Sequence, residues 1–457
     1  MKTAWLTRQR LAASILLGFA MAGCGGATSS PSPSAASAAA ASKPSASAAA
    51  PASAGGASAS TAAKPAAASN AAPSGKSVNV GVPVSLTGQF AAIGQSQLEG
   101  VQLAADKINK AGGVLGRPLK IVPVDASDPV DAVPAVRKML ATDNVSMSVG
   151  LSVKTYQTAL PILNSAKMVS FTFIGSPTID HTLFPTSFRM QPSDAVVGTA
   201  MAEYAKEKGY NRIALVMDAE EGAQTLIPPI EHAAKALGLQ VVAKPALPLN
   251  VPSYQGEILQ IVNAKPDAML MQVDPQGAGT FFKQLQGLGG DNIPVIGSDL
   301  TSGSEWVKAV GADEASKHVV SLVSGGESSP AAKFFTPAYE KKFGHPARLY
   351  SSHFYDGTNV GALAMIAAKS TDPKVFVNSI LDVTTPGADH TTVYTFADGA
   401  KLLAQGKKIK YSGAGSPMTF TKYHTVAGSF QAVQSSASGK LNVLATIPGS
   451  KLDPLMS

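Results

Sequence analysis

One complete strand–helix–strand unit, between residues 77 and 129, constrains the fold of this chain more than any other feature. Valines at alternate positions from 78 to 84 predict a strand. Apolar residues at helical spacing follow, and the predicted helix ends at Ala111-Gly112-Gly113 because glycine adopts the left-handed cap conformation. A second strand is predicted at 119–124. This order predicts a parallel pair with a right-handed crossover, and ligand-binding groups in the loop 85–94 and at the helix start after it.

Alternating strand and helix patterns continue along most of the chain. A first series ends near residue 173, an extended segment follows at 188–192, and a second series runs from 197 to 323. Two such series predict an α/β fold with two Rossmann-like lobes, each built on a parallel sheet. Two long helices, at 331–343 and 351–369, come next, before short strands near the end of the chain.

The first 76 residues have a different character. A basic start and an apolar run at 11–22 are typical of a signal peptide, and the run is too short to span a bilayer. Met21-Ala22-Gly23-Cys24 resembles a bacterial lipobox, which predicts a signal peptide at 1–23 and a lipid on Cys24. The alternative is an ordinary signal peptide with an incidental cysteine. Residues 24–76 are mainly Ala, Ser, Pro, Gly and Thr, which predicts a disordered tether.

The charge of the chain gives no support for a nucleic-acid partner. The chain has 37 basic and 30 acidic residues, but six of the basic residues and none of the acidic ones precede residue 77. The rest of the chain therefore carries 31 basic and 30 acidic side chains, and the basic excess belongs to the leader and the tether. The single cysteine excludes an internal disulfide.

Common motifs of enzymes and cofactor sites are missing from the sequence. It contains no dinucleotide-binding, Walker A, zinc-protease or serine-hydrolase pattern. The seven histidines are scattered, so we expect structural roles for them, with no metal and no cofactor. Asp125, Asp128 and Asp131 are open to two interpretations. A calcium loop would need the glycine and terminal glutamate of an EF-hand, which are missing, so turn and helix-cap roles are favoured.

An ordered set of short motifs follows the first strand. From residue 85 the chain reads S-L-T-G, a small loop ending in glycine, E-G-x-x-L-A, I-N, A-G-G, G-R-P-L and D-x-x-D-P. In this order and spacing the motifs resemble the start of the type I periplasmic solute-binding proteins of the branched-chain amino acid, amide and urea ABC uptake systems. The resemblance extends more loosely from about residue 77 to about residue 446.

This resemblance implies two lobes that close by hinge motion on a ligand held between them. It also implies three crossings of the chain between the lobes, for which the segments near 189–198, 321–327 and 410–430 are candidates. The implied domain ranges are 77–192 and 323–420 for the N-terminal lobe, and 193–322 and 421–457 for the C-terminal lobe. The implied partners are a small-molecule solute and the permease and ATPase of a transporter, and we expect a monomer.

Candidate ligand-binding residues of the first lobe follow from the positions that match the family. Ile93 stands where amino-acid binders often have an aromatic residue. Lys154 and Thr155 lie in the turn where hydroxyl and N–H groups of the family bind a carboxylate. Lys154 has no equivalent there and is either a ligand for a carboxylate or a surface lysine. Ile174 and Ser176 match carbonyl and hydroxyl contacts, with a helix cap as the alternative for Ser176.

Three further candidates lie in the second lobe. Gly222 stands where amino-acid binders commonly have a tyrosine, and Asp274 follows a strand after which they often have another aromatic residue. Asp299 matches the acidic residue that receives the ligand's ammonium group, and its alternative is to cap the next helix. The missing aromatic residues weaken the assignment to amino acids and leave the assignment to solute-binding proteins intact.

Together these features predict a lipid-anchored, extracytoplasmic solute-binding protein of an ABC importer that performs no chemistry. The expected solute is an amino acid, an amide or a small carboxylate. A sensor of the same fold that reports to a membrane receptor is the alternative, and neighbouring permease or kinase genes would discriminate between the two. An enzyme is disfavoured because no nucleophile–base or metal constellation is visible in the sequence.

Replacement of Cys24 tests the predicted anchor. We expect the Cys24→Ala protein to leave the membrane fraction, because the lipid on that cysteine would hold the mature chain there. Cell fractionation, with sequencing of the mature N-terminus, provides the measurement. Equal partitioning of variant and parent, with a parent chain that does not begin at Cys24, would contradict lipidation.

Overall fold

The computed structural model describes residues 72–152, 154–325 and 329–456. The predicted signal peptide, the lipidated cysteine and the tether up to residue 71 lie outside the described residues. Parallel sheets flanked by helices confirm the predicted α/β fold class.

The first part of the described chain alternates strands and helices. Its elements are β1 (Val78–Val84), α1 (Ala91–Lys110), β2 (Leu119–Asp125), α2 (Pro129–Thr142), β3 (Val145–Val149), α3 (Tyr156–Ser165), β4 (Ser170–Thr172) and β5 (Ser187–Arg189). Within the described ranges these strands form a five-stranded parallel sheet in the order β2-β1-β3-β4-β5. The direction of succession reverses between β1 and β3, which makes that place the switch point of the sheet.

A second series of elements builds the second sheet. It comprises α4 (Asp194–Glu207), β6 (Arg212–Asp218), α5 (Glu221–Gln224), α6 (Ile227–Leu237), β7 (Gln240–Ala243), β8 (Ala246–Leu247), α7 (Gln255–Ala264), β9 (Ala268–Gln272), α8 (Pro275–Gly287), β10 (Val295–Gly297), α9 (Gly303–Val310), α10 (Ala312–Lys317) and β11 (Val319–Ser324). The succession reverses between β6 and β9, which are parallel neighbours. This pair is the switch point of the second sheet.

The remaining elements return to the first lobe and end in the second. They are α11 (Ala332–Phe343), α12 (Ser351–Ala368), α13 (Pro373–Phe376), α14 (Ser379–Thr384), β12 (Thr391–Val393), α15 (Phe396–Ala404), β13 (Ile409–Tyr411), β14 (Phe430–Ser435), β15 (Leu441–Ile447) and α16 (Gly449–Leu452). Helices α11 and α12 share a buried core with β1 and α1. Strand β14 pairs antiparallel with β11 and β15, which gives the second sheet the order β15-β14-β11-β10-β9-β6-β7, with β8 paired to β6.

Connections between the lobes are hydrogen-bonded to one another. In the described chain, passages between the sheets lie after β5, after β11 and after β13. The backbone of Arg189, at the first passage, donates to the carbonyl of His424 at 2.8 Å and accepts from the N–H of Val426 at 3.1 Å, both in the third passage. The lobe ranges derived from the sequence remain a prediction.

Several elements differ from the sequence-based expectation. The extended segment predicted at 188–192 is in part β5, the edge strand of the first sheet. The apolar spacing at 224–237 predicts one helix, but α6 begins only at Ile227, because Pro228 and Pro229 lack the N–H that a helix interior requires and are tolerated in its first turn. The short helix α5 before it was not predicted. Helix α1 begins at Ala91, inside the predicted loop 85–94. Helix α10 and the small parallel sheet of β12 and β13 were not predicted.

Close packing of α1 against α12 fixes the position of the residue that precedes α12. The Ser96 hydroxyl donates to the carbonyl of Leu349 at 2.6 Å. At Gly100 a β-carbon would come within 2.0 Å of the carbonyl oxygen of Ser351. The two helices can approach this closely only because residue 100 has no side chain. Tyr350 is thereby held at a fixed place next to the first sheet.

An alanine at position 100 tests this packing. We expect Gly100→Ala to lower the free energy of unfolding by about 1–3 kcal/mol, the usual cost of overpacking a core, since backbone atoms must move. Urea denaturation measures the change. Gly256→Ala in α7 is the control, because a β-carbon there meets nothing within 4 Å, and it should leave stability unchanged or slightly raised. Equal effects of the two substitutions would contradict this account.

Candidate functional site

A cavity lies between the two sheets. Its volume is about 890 Å³, including the space open to solvent at its mouth. Both lobes contribute to its wall. The lining residues are Ser85, Phe90, Ile93, Gly94, Gln97, Ser152, Lys154, Phe173, Gly175, Gln191, Asp194, Val197, Glu220, Gly222, Gln272, Asp299, Leu300 and Tyr350.

The topology of the two sheets explains the position of this cavity. Ser85 and Ser152 follow β1 and β3, the switch-point strands of the first sheet. Glu220 and Gln272 lie at the ends of β6 and β9, the switch-point strands of the second sheet. Loops on either side of a switch point diverge and leave a crevice at the carboxyl ends of the strands. The cavity therefore lies where the crevices of two parallel sheets face each other.

Four of the predicted site residues line the cavity. They are Ile93 and Lys154 from the first lobe, and Gly222 and Asp299 from the second. Asp299 begins a short 3-10 turn that follows β10, so its carboxylate is delivered by a strand end, as expected from the sequence. Contact of these four residues with a ligand remains a prediction.

Two first-lobe candidates are not among the residues that line the cavity, and their polar groups form hydrogen bonds within the protein. The Ser176 hydroxyl is fully buried and interacts with the hydroxyls of Tyr156 at 3.2 Å and Thr178 at 2.8 Å. It makes no capping bond to the turn that follows. The carbonyl of Ile174 accepts from the Nε of Arg189 at 2.9 Å. Local bonds therefore engage these groups in the structure, which the sequence pattern did not reveal.

Thr155 and Asp274 are also outside the cavity lining. Thr155 is 1% exposed and precedes the first residue of α3. Asp274 caps α8, because its Oδ1 accepts the N–H groups of Gln276 at 2.9 Å and Gly277 at 3.2 Å. The structure gives Asp274 a capping role, and its contact with a ligand remains a prediction. Asp128 caps α2 through Val130 and Asp131, in agreement with the cap interpretation of that aspartate.

Two acidic side chains in the cavity wall are held in apolar surroundings. Burial raises the pKa of Asp194 to about 7, against a hydrogen bond from Thr225 and the charge of Arg189. Burial raises the pKa of Asp299 to about 6, against a hydrogen bond from the Tyr350 hydroxyl. In both cases removal from water penalises the charged form more than the hydrogen bonds stabilise it.

The chain holds Asp194 in place from both lobes. Its N–H donates to the carbonyl of Gly175 at 2.8 Å, and its Oδ2 accepts from the Thr225 hydroxyl at 2.7 Å. A β-carbon at Gly175 would come within 2.0 Å of the Oδ1 of Asp194. The carboxylate therefore lies directly on the first-lobe backbone, at the point where the chain enters the second lobe.

Aromatic side chains line the cavity from positions that the sequence analysis did not select. Phe173 and Tyr350 have ring centroids 4.3 Å apart and both face the cavity with Phe90. Tyr350 has φ of 69°, an unusual conformation for a non-glycine residue that the packing of α12 maintains. These rings give the cavity an aromatic surface, although residues 93 and 222 are not aromatic. A signal existed for Phe90, since it lies in the loop 85–94, where ligand-binding groups were expected.

Exposed side chains join the lobes at two further places. The amide of Gln157, in α3, donates to the carboxylate of Glu221, in α5, at 2.9 Å. The amide of Asn250 donates to the side-chain oxygen of Gln89 at 3.4 Å. These bonds span the two lobes, so the structure has the lobes closed against each other.

The described part of the chain has neither a metal-binding cluster nor a membrane-spanning helix. Residues 72–152, 154–325 and 329–456 contain no group of three or more His, Cys, Asp or Glu side chains placed to hold a metal ion. In the same ranges, no helix has the length and hydropathy needed to cross a bilayer.

Comparison with known proteins gives consistent similarities. Residues 77–440 match the family model described as periplasmic binding protein. The chain is 25% identical over 367 residues to the Leu/Ile/Val-binding protein BraC3 of Rhizobium johnstonii, covering 78% of this chain and 94% of that protein. It is 25% identical over 306 residues to the leucine-, isoleucine-, valine-, threonine- and alanine-binding protein of Pseudomonas aeruginosa. That match covers 63% of this chain and 79% of the relative.

Solved structures share the fold at lower identity. LivJ of Streptococcus pneumoniae, in complex with isoleucine, has a TM-score of 0.68 at 20% identity and covers 81% of this chain and 99% of its own. A solute-binding protein of R. palustris, in complex with benzoate, has a TM-score of 0.68 at 15% identity. It covers 82% of this chain and 97% of its own. These likenesses show that the fold is shared.

The raised pKa values of Asp194 and Asp299 predict the pH dependence of stability without solute. A carboxyl whose pKa is raised on folding binds more protons in the folded chain, so its contribution is greatest below its unfolded pKa, near 3.8, and is lost as the pH rises through about 6 to 7. We therefore expect these two carboxyls to lower the free energy of unfolding by at least about 1 kcal/mol between pH 5 and pH 8, the equivalent of roughly one pKa unit. The buried His353, whose pKa is lowered to about 4, acts in the opposite direction up to about pH 6.5.

Urea denaturation of a double variant isolates this effect from other buried carboxyls. Asp218 and Asp356 also have pKa values raised to about 7 by burial and contribute with the same sign. Asp194→Asn/Asp299→Asn should gain stability relative to the parent as the pH rises. Asp291→Asn, at an exposed aspartate, should follow the parent. A difference between double variant and parent that does not grow with pH would contradict the prediction.

Proposed function

The chain belongs to the periplasmic binding protein family, and we propose that it is the solute-binding lipoprotein of an ABC importer. It captures a small polar organic solute between its lobes and delivers the solute to a membrane permease. The observation that carries the proposal is the cavity between the two sheets, which both lobes line. Relatives named for binding branched-chain amino acids support this assignment.

The residues in the wall of the cavity suit a solute with both polar and apolar parts. Lys154 of the first lobe and Asp299 of the second are charged groups that could orient a polar head. Ile93, Phe173 and Leu300 form apolar parts of the wall. Amino acids, amides and small carboxylates have this combination. Solved relatives in complex with isoleucine and with benzoate show that this fold accommodates solutes of this size.

The location and partners follow from the family and from the leader. An extracytoplasmic protein needs a signal for export, which the basic and apolar start of the chain provides. A lipid on Cys24 would keep the protein at the membrane that carries the permease and ATPase. The segment from 25 to 76 would then act as a tether of roughly 40 Å root-mean-square reach.

A solute screen tests this function. We expect one solute class to bind with one molecule per chain and to be recovered chemically unchanged, because a binding protein closes on its ligand without reacting with it. Isothermal titration measures the stoichiometry, and chromatography of the released solute measures its identity. Ile93→Trp should abolish binding by filling the cavity, whereas Leu259→Trp, at a side chain 45% exposed on α7, should not. A solute converted to product would contradict the proposal.

A further inference from the structure

The charged groups on the cavity wall are unequal in number. Among the described residues, three carboxylates line the cavity, all from the second lobe: Asp194, Glu220 and Asp299. Lys154, from the first lobe, is the one cationic side chain among the described residues that line the cavity. The wall therefore has more acidic groups than basic ones, and this imbalance constrains the charge of a bound solute.

The carboxylate of Glu220 already has hydrogen-bond partners within the protein. Its two carboxylate oxygens accept the N–H groups of Gly222 at 3.0 Å and Ala223 at 2.9 Å, so it caps α5. Burial raises the pKa of Glu220, and these N–H groups and the charge of Lys154 oppose the rise. Lys154 therefore lies near enough for its positive charge to act on Glu220.

Asp194 lacks a cation of this kind. The nearby guanidinium of Arg189 forms an ion pair with Asp180 at 2.6 Å and also donates to two carbonyl oxygens, of Ile174 and Ser176. The Thr225 hydroxyl occupies one acceptor position of Asp194. A carboxylate offers about four such positions, so Asp194 keeps the capacity to accept hydrogen bonds from a group in the cavity.

Asp299 is in a similar situation. It interacts with the Tyr350 hydroxyl by a hydrogen bond, and among the described lining residues no cation faces it. Its negative charge raises the pKa of Asp194, so the two carboxyl groups influence each other within the same cavity. Two ionised carboxylates in a partly apolar cavity are unfavourable until a positive charge joins them.

Aromatic rings lie beside these carboxylates. Phe173 and Tyr350 form a close ring pair, and Phe90 completes the aromatic part of the wall. The faces of aromatic rings attract organic cations, and their carbon surface favours an apolar body. The combination of two carboxylates and three rings matches a cation attached to a hydrocarbon group.

We propose that the solute has a net positive charge, with an amino or amidine-type nitrogen between the carboxylates of Asp194 and Asp299 and an apolar body against Phe173. The inference rests on the proposed function and narrows its solute class. A zwitterionic amino acid would bring its own carboxylate to a wall that already has three, those of Asp194, Glu220 and Asp299. A solute with only a carboxylate would meet Asp194 and Asp299 without compensation.

Matched solutes of different charge provide the test. L-leucinamide, L-leucine and 4-methylpentanoate share one hydrocarbon body and carry charges of about +1, 0 and −1 near neutral pH, when their amino and carboxyl groups have ordinary pKa values. L-phenylalaninamide, L-phenylalanine and 3-phenylpropanoate form a second series with an aromatic body. By isothermal titration at pH 7 we expect each amide to bind at least about tenfold more tightly than its zwitterion, and the anions to bind least. An order in which a zwitterion or anion binds best overturns the inference.

Substitution of the two carboxylates tests their role. Asp194→Asn and Asp299→Asn should each weaken the amides by at least about tenfold, since one partner of a charge-assisted bond is lost. Each should leave the anions unchanged or slightly strengthened. Asp291→Asn, at an exposed aspartate of the same lobe, should leave all affinities unchanged. Circular dichroism establishes that the variants are folded, and unchanged amide affinity in either folded variant contradicts the inference.

A measurement on the parent protein needs no variant. Because burial raises the pKa values of both carboxyls, a fraction of them is protonated near pH 6, and a bound cation should displace those protons. Arg189, Asp180, Glu220 and Tyr350 are the charged and titratable groups that surround them. Titration of the tighter amide near pH 6.5 in phosphate and in ACES, whose ionisation enthalpies differ, should show net proton release. Proton uptake, or no proton exchange, contradicts the inference.

The inference and the proposed function fail in different ways. If anions or zwitterions bind one per chain and unchanged while the amides do not, the protein is a solute-binding protein of a different solute class. If solutes of every charge fail to bind in the screen and in both series, the proposed function fails with the inference.

Discussion

The arrangement of the two lobes depends on one buried guanidinium. Arg189 is 4% exposed, at the end of the first sheet, and pairs with Asp180 while it donates to two carbonyl groups of the loop after β4. Its backbone bonds the third passage between the lobes. One residue thus joins the edge strand, the loop beside the cavity and two of the connections about which the lobes would move. A buried charge with these partners allows few alternative positions, because losing any of them would leave polar groups unsatisfied.

This rigid connection brings the acidic groups of the second lobe close to the backbone of the first. Asp194 follows the first passage by only a few residues and lies against Gly175. Asp299 comes from the end of β10 and meets Tyr350, which precedes α12. The fold therefore places charged groups from one lobe against aromatic and backbone groups from the other. Burial of those charges costs stability in the absence of a cation, and a solute that supplies a cation would recover it.

Much of the fold could be predicted from the sequence, because alternating and helical spacings of apolar residues reflect burial directly. The strand at 78–84 and the helix that follows it are examples. Elements that depend on tertiary contacts were predicted only in part, such as β5, which was predicted as an extended segment at 188–192 and forms a strand by pairing with β4. The start of α6 at Ile227 was missed, although Pro228 and Pro229 mark its first turn.

Some residues of the candidate site could be predicted from the sequence and others could not. Asp299 could be predicted because it follows a strand at the edge where parallel sheets bind ligands. Asp274 follows a strand too, but its carboxylate caps α8, and a sequence does not distinguish a capping aspartate from one that faces a cavity. Asp194 and Tyr350 reach the wall only because distant segments pack together. Gly175 packs against Asp194 at the start of α4, and Gly100 of α1 packs against the start of α12, next to Tyr350. Their spacing in the sequence contains no record of those contacts.

Native mass spectrometry of the protein purified without added solute tests the central claim most directly, that the cavity holds a small organic cation between its carboxylates. The account predicts a non-covalent small molecule whose exact mass and fragments identify an amine or amidine without a carboxylate, and which is depleted in Asp194→Asn/Asp299→Asn prepared in the same way. A released molecule that contains a carboxylate, or equal release of the same molecule from both proteins, would contradict it.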